Sequence, residues 1–322
     1  MSVTVVGSIA FDAVRTPFGE RARMLGGSAV HFALAASFFD HVRVVGPVGD
    51  DFGEAELEVL RCRGVDTADI ERIAGARTFF WSGVYGEDLG DRQTLATELN
   101  VFADFAPKLS GASRSCDVLF LANIQPDLQR EVRAQCRRAR FVALDSMNLW
   151  IEIARDSLLA AIAEVDCLIL NDAELRQLTA QPNLVRAAAR VLEWGPSVVV
   201  AKQGEYGAAL ITREDHFALP AFPLADVHDP TGAGDSFAGG FVGYIAANLG
   251  AEPDRELPRA SAEPDRDLLR RAMAYGTALA SYNVEEFGTE RVARLTGEEI
   301  ARRVTELGRI TQFADQPLAL RD

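Results

Sequence analysis

The stretch Asp229-Pro-Thr-Gly-Ala-Gly-Asp235-Ser-Phe-Ala-Gly-Gly-Phe-Val-Gly-Tyr-Ile-Ala246 decides how the chain is read. Pro230 stops any helix from entering from upstream, and Gly232 and Gly234 permit backbone angles closed to other residues. From Ser236 onward Phe237, Phe241, Ile245 and Leu249 recur at helical spacing, and Gly250 stands where a helix would end. The stretch is a glycine turn feeding a helix. Such a turn aims several free N–H groups and the positive end of the helix dipole at one point, which suits a phosphate. Asp235 adds a carboxylate at that point. An acid there repels a phosphate, but it makes sense if it takes a proton from a hydroxyl attacking the phosphorus. The helix terminus is expected to keep Asp235 ionised. A plain N-cap aspartate is the other reading, and a Gly-x-Gly-Asp alone does not separate the two.

Working outward, strands and helices alternate. Residues 2–9 read as a strand, with Asp12 in the loop at its C-terminal edge. Ligands of parallel sheets gather at such edges, so Asp12 is a candidate for gripping substrate hydroxyls, or else an ordinary turn residue. Leu25-Gly26-Gly27-Ser28 opens an Ala-rich helix over 29–39, a strand follows from 42 into a glycine-rich turn ending at Gly53, and a helix spans 54–63. Strands at 117–122, 141–144, 167–170 and 197–201 alternate with helices at 127–138, 157–163 and 185–193, the pattern of a parallel sheet. The last three strands run into Asp145, Asn171 and Lys202, with Gly204 just beyond, so polar groups converge on one sheet edge. Asn171 and Glu174 share a face at a helix start and fit either a hydrated Mg²⁺ or a reciprocal helix cap. Lys202 fits a phosphate, or simply caps the edge with its charge.

Between 77 and 107 the pattern changes. Residues 78–85 and 92–98 read as strands with no helix between them, so they pair antiparallel in a small β insertion that 11–24 joins. Phe79 and Trp81 are expected to be exposed there, where they cover a ligand or a second subunit or pack on the parent domain. Ala251-Glu-Pro-Asp-Arg-Glu-Leu257 recurs as Ala262-Glu-Pro-Asp-Arg-Asp-Leu268. That duplication is too short for a solenoid and reads as a charged surface loop. Helices over 267–284 and 297–306 close the chain, and 313–322 reads as a loose tail.

The 322 residues carry a net charge of −14 and are 48% hydrophobic, which suits one large α/β domain over 1–322. The charge argues against nucleic acid, because binding there requires phosphates to be neutralised. No apolar run reaches membrane-spanning length and the N-terminus begins directly as a strand, so a cytoplasmic protein without a membrane partner is expected. The four cysteines are scattered and read as free thiols.

These residues resemble the ribokinase/PfkB family of carbohydrate and nucleoside kinases, from Val3 to about Gly288. The stretch 229–237 resembles the family's second signature, and Gly26-Gly27 with 46–53 the first. Asn171-Asp-Ala-Glu174 resembles its Asn-x-x-Glu element, Lys202-Gln-Gly204-Glu-Tyr-Gly207 its Lys-x-Gly-x-x-Gly loop, and Thr97-Glu-Leu-Asn-Val-Phe the close of its β lid. The resemblance implies a three-layer αβα core with a mainly parallel sheet and a small β-sheet lid formed by insertions at about 11–25 and 77–107. It implies transfer of the ATP γ-phosphate to a hydroxymethyl group of a sugar or nucleoside, with Asp235 as base and the backbone of Gly232, Ala233 and Gly234 as anion hole. Asn171 and Glu174 would serve Mg²⁺ through water, and Asp229 a monovalent cation such as K⁺. The acceptor would meet Asp12, Gly26, Gly27, His31 and Asp235. The nucleotide would meet Asn171, Lys202, Gly204, Thr231, Gly232, Gly234 and Asn283. His31 replaces the asparagine that many relatives carry after the double glycine, which leaves the acceptor's identity open. Asp145-Ser-Met-Asn148 lacks the basic residue of relatives taking phosphorylated sugars, so an uncharged acceptor is expected. A homodimer through the lid is a further expectation, and a non-catalytic binding paralogue is the competing account.

Overall fold

The computed structural model describes residues 1–90, 92–251 and 265–312. Strand β1 (Ser2–Val6) leads into a hairpin, β2 (Ala10–Thr16) and β3 (Gly19–Gly26), then α1 (Ser28–Ala36), β4 (His41–Val48), α2 (Glu54–Arg61) and β5 (Asp66–Arg72). Next come β6 (Phe79–Tyr85), β7 (Arg92–Glu98), the short α3 (Gly111–Arg114), β8 (Val118–Leu121), α4 (Pro126–Gln135) and β9 (Phe141–Asp145). They are followed by α5 (Asn148–Ile153), α6 (Arg155–Ile162), β10 (Cys167–Asn171), α7 (Asp172–Thr179), α8 (Leu184–Leu192) and β11 (Val198–Lys202). The chain ends in β12 (Ala208–Ile211), β13 (His216–Leu219), α9 (Ala233–Ala251), α10 (Arg266–Asn283), α11 (Glu290–Ala293) and α12 (Gly297–Thr311).

The main sheet runs β13-β12-β11-β10-β9-β8-β1-β4-β5. Its pairs are parallel from β11 to β5, and only β12 and β13 add on antiparallel. Side chains alternate between two buried layers, as the two-residue strand period requires. Val118, Phe120, Cys167, Ile169, Val198 and Val200 join α1, α9 and α10 in one layer. Leu119, Leu121, Leu168, Leu170, Val199 and Ala201 join α4, α6, α7 and α8 in the other. Helix, sheet and helix therefore make three layers. The chain runs outward from β1 toward β5 and, after returning, from β8 toward β13, so the order reverses between β1 and β8. Crevices at such reversals collect ligands at the strands' C-terminal ends.

A second sheet, β3-β2-β6-β7, covers that edge. Two antiparallel hairpins are joined by parallel pairing of β2 with β6. Its inner side carries a small cluster of Val14, Tyr85 and Phe287, with Trp81 and Met24 packed against it. The floor below is the helical layer, where Phe237, Phe241, Ile245 and Leu249 are buried along α9 as their spacing predicts.

Several expectations are corrected. The first strand ends at Val6, and Asp12 lies within β2 instead of a loop. Phe79 and Trp81 are half-buried, not exposed; Phe79 meets Phe102 edge-on at 5.7 Å, and the Arg92 guanidinium lies 5.3 Å from the Trp81 ring. β5, β12 and β13 are additional strands. β5 is Asp-Thr-Ala-Asp-Ile-Glu-Arg at a sheet edge, and lacks the apolar alternation that marks a half-buried strand. α12 extends to Thr311, past the expected 306. The duplicated segment falls largely at 252–264 and the tail at 313–322, both outside the described residues.

Candidate active site

β9, β10 and β11 end side by side, with Ile169 paired to Asp145 and Asn171 to Lys202. Their terminal side chains converge as expected. Lys202 Nζ donates to Asp145 Oδ2 at 3.1 Å, and both groups are largely buried. Lys202 also reaches across to the head of α9, where a Cβ added to Gly234 would fall 2.9 Å from Nζ. The space over Gly234 is therefore shared by backbone and an ammonium group.

The glycine turn forms the head of α9. Gly232 has φ +77°, and the Ser236 N–H donates to the Gly232 carbonyl at 2.8 Å as the first helical bond. The amides of Gly234 and Asp235 precede it and have no intrahelical acceptor. Asp229 anchors the turn: its Oδ1 accepts the Thr231 N–H at 2.9 Å and its Oδ2 accepts the Gly288 N–H at 2.9 Å. The expected cation ligand is thus first a clamp between two backbone segments. Asn283, also buried, donates to the Thr231 carbonyl at 2.7 Å and accepts the Ser236 hydroxyl at 2.9 Å. His31, expected on the acceptor side, lies in α1 with its Nδ1 3.0 Å from Asn283 Oδ1.

Asp12 faces this turn from β2. A Cβ on Gly26 would fall 1.9 Å from its carboxylate, and one on Gly27, at φ +97°, 2.4 Å from the Ser8 carbonyl. Only the double glycine lets Asp12 settle there while α1 begins at once. The Asp12 carboxyl is driven up to about 7, first by burial and then by the charge of Asp229, although the Gly27 amide opposes the shift.

Asp235 also rises to about 7, through burial and then the Asp145 charge, with Lys202 and Arg92 opposing. This corrects the expectation that the helix terminus keeps it ionised. Burial would lower Lys202, yet Asp145, Glu174 and Asp235 overcome it and hold the ammonium above its ordinary value. One ammonium cannot neutralise three carboxylates, so Asp145 and Glu174 are raised as well, burial leading in both.

Asn171 and Glu174 form the reciprocal cap: Asn171 Oδ1 accepts the Glu174 N–H at 2.7 Å, and Glu174 Oε2 accepts the Asn171 N–H at 3.0 Å. Capping uses one oxygen of each and leaves Glu174 Oε1 for other work. The fit to Mg²⁺ lies in the donor chemistry: hard oxygens predominate, and negative charge is in excess. Among the described residues no group of three His, Cys, Asp or Glu side chains is placed to hold a metal ion. Gly204 sits on the exposed turn after β11, where its carbonyl accepts the Gly207 N–H at 3.1 Å.

Three groups stand outside the residues that the sequence assigns to the site. Asp145 enters there among the polar groups converging on the sheet edge and in the Asp145-Ser-Met-Asn148 stretch, without a role of its own. Tyr85 and Arg92 come from the second sheet: the Tyr85 hydroxyl lies 3.1 Å from Thr231 Oγ1, and the Arg92 charge bears on Asp12, Glu174 and Asp235. Nothing in their local sequence points inward; the pairing of β6 with β7 sets Arg92 opposite Tyr85, which touches the turn.

The sequence profile of the pfkB family carbohydrate kinases matches residues 2–294. The chain belongs to this family. It is 28% identical over 280 residues to a cytidine kinase of Thermococcus kodakarensis, covering 80% of this chain and 96% of the relative. It is 36% identical over 237 residues to a deoxyribokinase of Salmonella typhi, covering 68% and 74%. The fold matches a nucleoside kinase of Methanocaldococcus jannaschii with a TM-score of 0.74 at 18% identity, over 95% of this chain and 98% of that one. It matches an adenosine kinase of Sinorhizobium meliloti with a TM-score of 0.76 at 18% identity, over 94% and 99%. The ribokinase-like architecture is thereby established, and this kinase is a phosphotransferase with a sugar or nucleoside alcohol as acceptor. Kinases of the family use ATP, generally with Mg²⁺. Among the described residues no helix is long and apolar enough to cross a membrane.

Proposed function

We propose that this kinase transfers the γ-phosphate of ATP to the hydroxymethyl group of a nucleoside's ribose, with Asp235 as general base. The observation that carries the reading is the position of Asp235. It stands in the first turn of α9, next to Gly234 in the chain and within the field of the Lys202 ammonium, with a pKa of about 7. A base poised near neutrality suits an alcohol that becomes strongly acidic only as its oxygen bonds to phosphorus. In that step the hydroxyl oxygen bonds to the γ-phosphorus, the bond to the bridging oxygen of ADP breaks, and the proton passes to Asp235. The amides of Gly234 and Asp235, with Lys202, would hold the charge spread over the transferring group. Asp12, positioned by Gly26 and Gly27, would orient the acceptor's ring hydroxyls. Asn171 and Glu174 would hold Mg²⁺ through water, where it would offset phosphate charge. A monovalent cation such as K⁺ beside Asp229 belongs to the same proposal.

The choice of a nucleoside draws on the cytidine kinase and nucleoside kinase among the relatives and on half-buried Trp81 in the covering sheet, whose ring face suits a base. The deoxyribokinase relative makes a free pentose the second reading. Measuring ADP release over a panel of nucleosides and pentoses separates them. Asp235→Asn should lower turnover at least a hundredfold while ATP binding, read by calorimetry, persists. Normal turnover in that variant would refute the role of Asp235. ATP binding without product on any acceptor would instead favour the non-catalytic paralogue.

A further inference from the structure

The imidazole of His31 is 2% exposed and packs against the glycine turn: a Cβ on Gly232 would fall 2.3 Å from both Nδ1 and Cε1 of the ring. Its hydrogen bonding determines where its proton lies. The Asn283 side chain faces the Thr231 carbonyl at 2.7 Å, and a carbonyl only accepts, so Asn283 presents its nitrogen there. Oδ1 therefore points the other way and accepts the Ser236 hydroxyl at 2.9 Å. The contact at 3.0 Å between that same oxygen and His31 Nδ1 then requires a proton on Nδ1. Nε2 carries a lone pair and is buried with no hydrogen-bond partner among the described residues. Burial keeps the ring below its ordinary pKa against the pull of Asp229, so His31 is neutral, in the Nδ1–H form.

We infer that His31 is a positioning residue for the anion hole: its ring supports Gly232 from below, and its Nδ1–H holds Asn283, which ties down the Thr231 carbonyl and the Ser236 hydroxyl. Those two groups bracket the Gly232–Gly234 turn. The turn has almost no side chains of its own with which to resist movement, so its shape must be held from outside. The satisfied contacts among His31, Asn283, Ser236 and Thr231 do this from α1 and α10, two elements distant in sequence. Misplacing a catalytic group by about 1 Å can cost on the order of a hundredfold in rate, which is why bracing the turn matters. The inference rests on reading the turn as the phosphate site.

His31→Phe keeps the ring against Gly232 and removes the N–H, whereas His31→Gln loses the ring and keeps a donor. The expected result is a kcat at least about tenfold lower in His31→Phe, with KM for acceptor and ATP within about twofold of wild type. His31→Gln should recover part of that kcat. A His31→Phe enzyme with wild-type kcat, or one faster than His31→Gln, would overturn the inference, since ring packing alone would then suffice. A raised acceptor KM at unchanged kcat would also overturn it, because His31 would then be touching the acceptor. The tautomer gives a readout independent of turnover. Nitrogen-15 spectra of the histidine-labelled wild type at neutral pH should show His31 with a protonated Nδ1 and a bare Nε2, assigned by loss of the signal in His31→Gln. The Nε2–H form would sink the inference even if the enzyme were fully active, and the Nδ1–H form would uphold the brace geometry even if the kinase reading failed.

Discussion

The Tyr85 hydroxyl stands 3.1 Å from Oγ1 of Thr231, which joins the second sheet directly to the turn that presents Asp235. Tyr85 is buried in the cluster that also holds Val14 and Phe287. The position of the sheet and the shape of the turn are therefore linked by one hydrogen bond. A buried neutral bond of this kind contributes about 1 kcal/mol. Tyr85→Phe should lower stability by about 1 kcal/mol and, if the acceptor binds against this placement of the sheet, raise the acceptor KM by up to roughly fivefold. Unchanged acceptor kinetics would show that acceptor binding does not depend on this contact.

Burial lifts both Asp12 and Asp235 to about 7, with the charge of Asp229 adding to the first and that of Asp145 to the second. A general base works when ionised. The value of kcat/KM should accordingly climb about tenfold per pH unit on the acid side and level off above pH ~7. A profile flat from pH ~5.5 to ~8.5 would count against a base of this pKa.

The same shifts affect stability with a definite sign. The ordinary Asp12 value is 3.8 and the native one about 7, so between these values the folded protein holds a proton that the unfolded chain has released. Stability is full below 3.8 and falls as pH rises through about 7. Asp12→Asn removes that loss while keeping an acceptor for the Gly27 amide. It should melt higher than wild type at pH ~8, by an amount on the order of a few kcal/mol, and the gain should shrink toward pH ~4. Thermal unfolding at the two pH values measures this, and a gain independent of pH would contradict it.

Lys202 is the ammonium on which Asp145, Glu174 and Asp235 all bear. Lys202→Met leaves three carboxylates facing one another, and breaking a buried pair in this way costs about 3–5 kcal/mol. The loss should be largest at pH ~8 and smaller at pH ~5, where the raised carboxylates regain protons. Urea unfolding at both pH values tests it, and equal losses would point to packing instead of charge.

Much of this arrangement was legible before any coordinates. Phe237, Phe241, Ile245 and Leu249 announce α9 because helical spacing is a local property. The strand ends at Asp145, Asn171 and Lys202 could be placed on one edge because parallel alternation leaves little choice of topology. Asn171 and Glu174 fitted both a cap and a metal partner, and the structure shows the cap, which spans only three residues. The weakly patterned edge strand β5 went unseen for the opposite reason: its sequence is polar, and its strand form comes from pairing with β4.

What the sequence by itself determined was a glycine turn ahead of a helix, a carboxylate placed in it, and a parallel sheet to carry both. These follow from backbone freedom and hydrophobic period, which act over a few residues. Tertiary structure alone decided that His31 lies beneath Gly232, that Tyr85 reaches the turn from another sheet while the Arg92 charge bears on the site, and that Asp12 and Asp235 are lifted to about 7. Burial and the summed field of charges distant in sequence set those properties, and no local pattern encodes a sum over the whole fold.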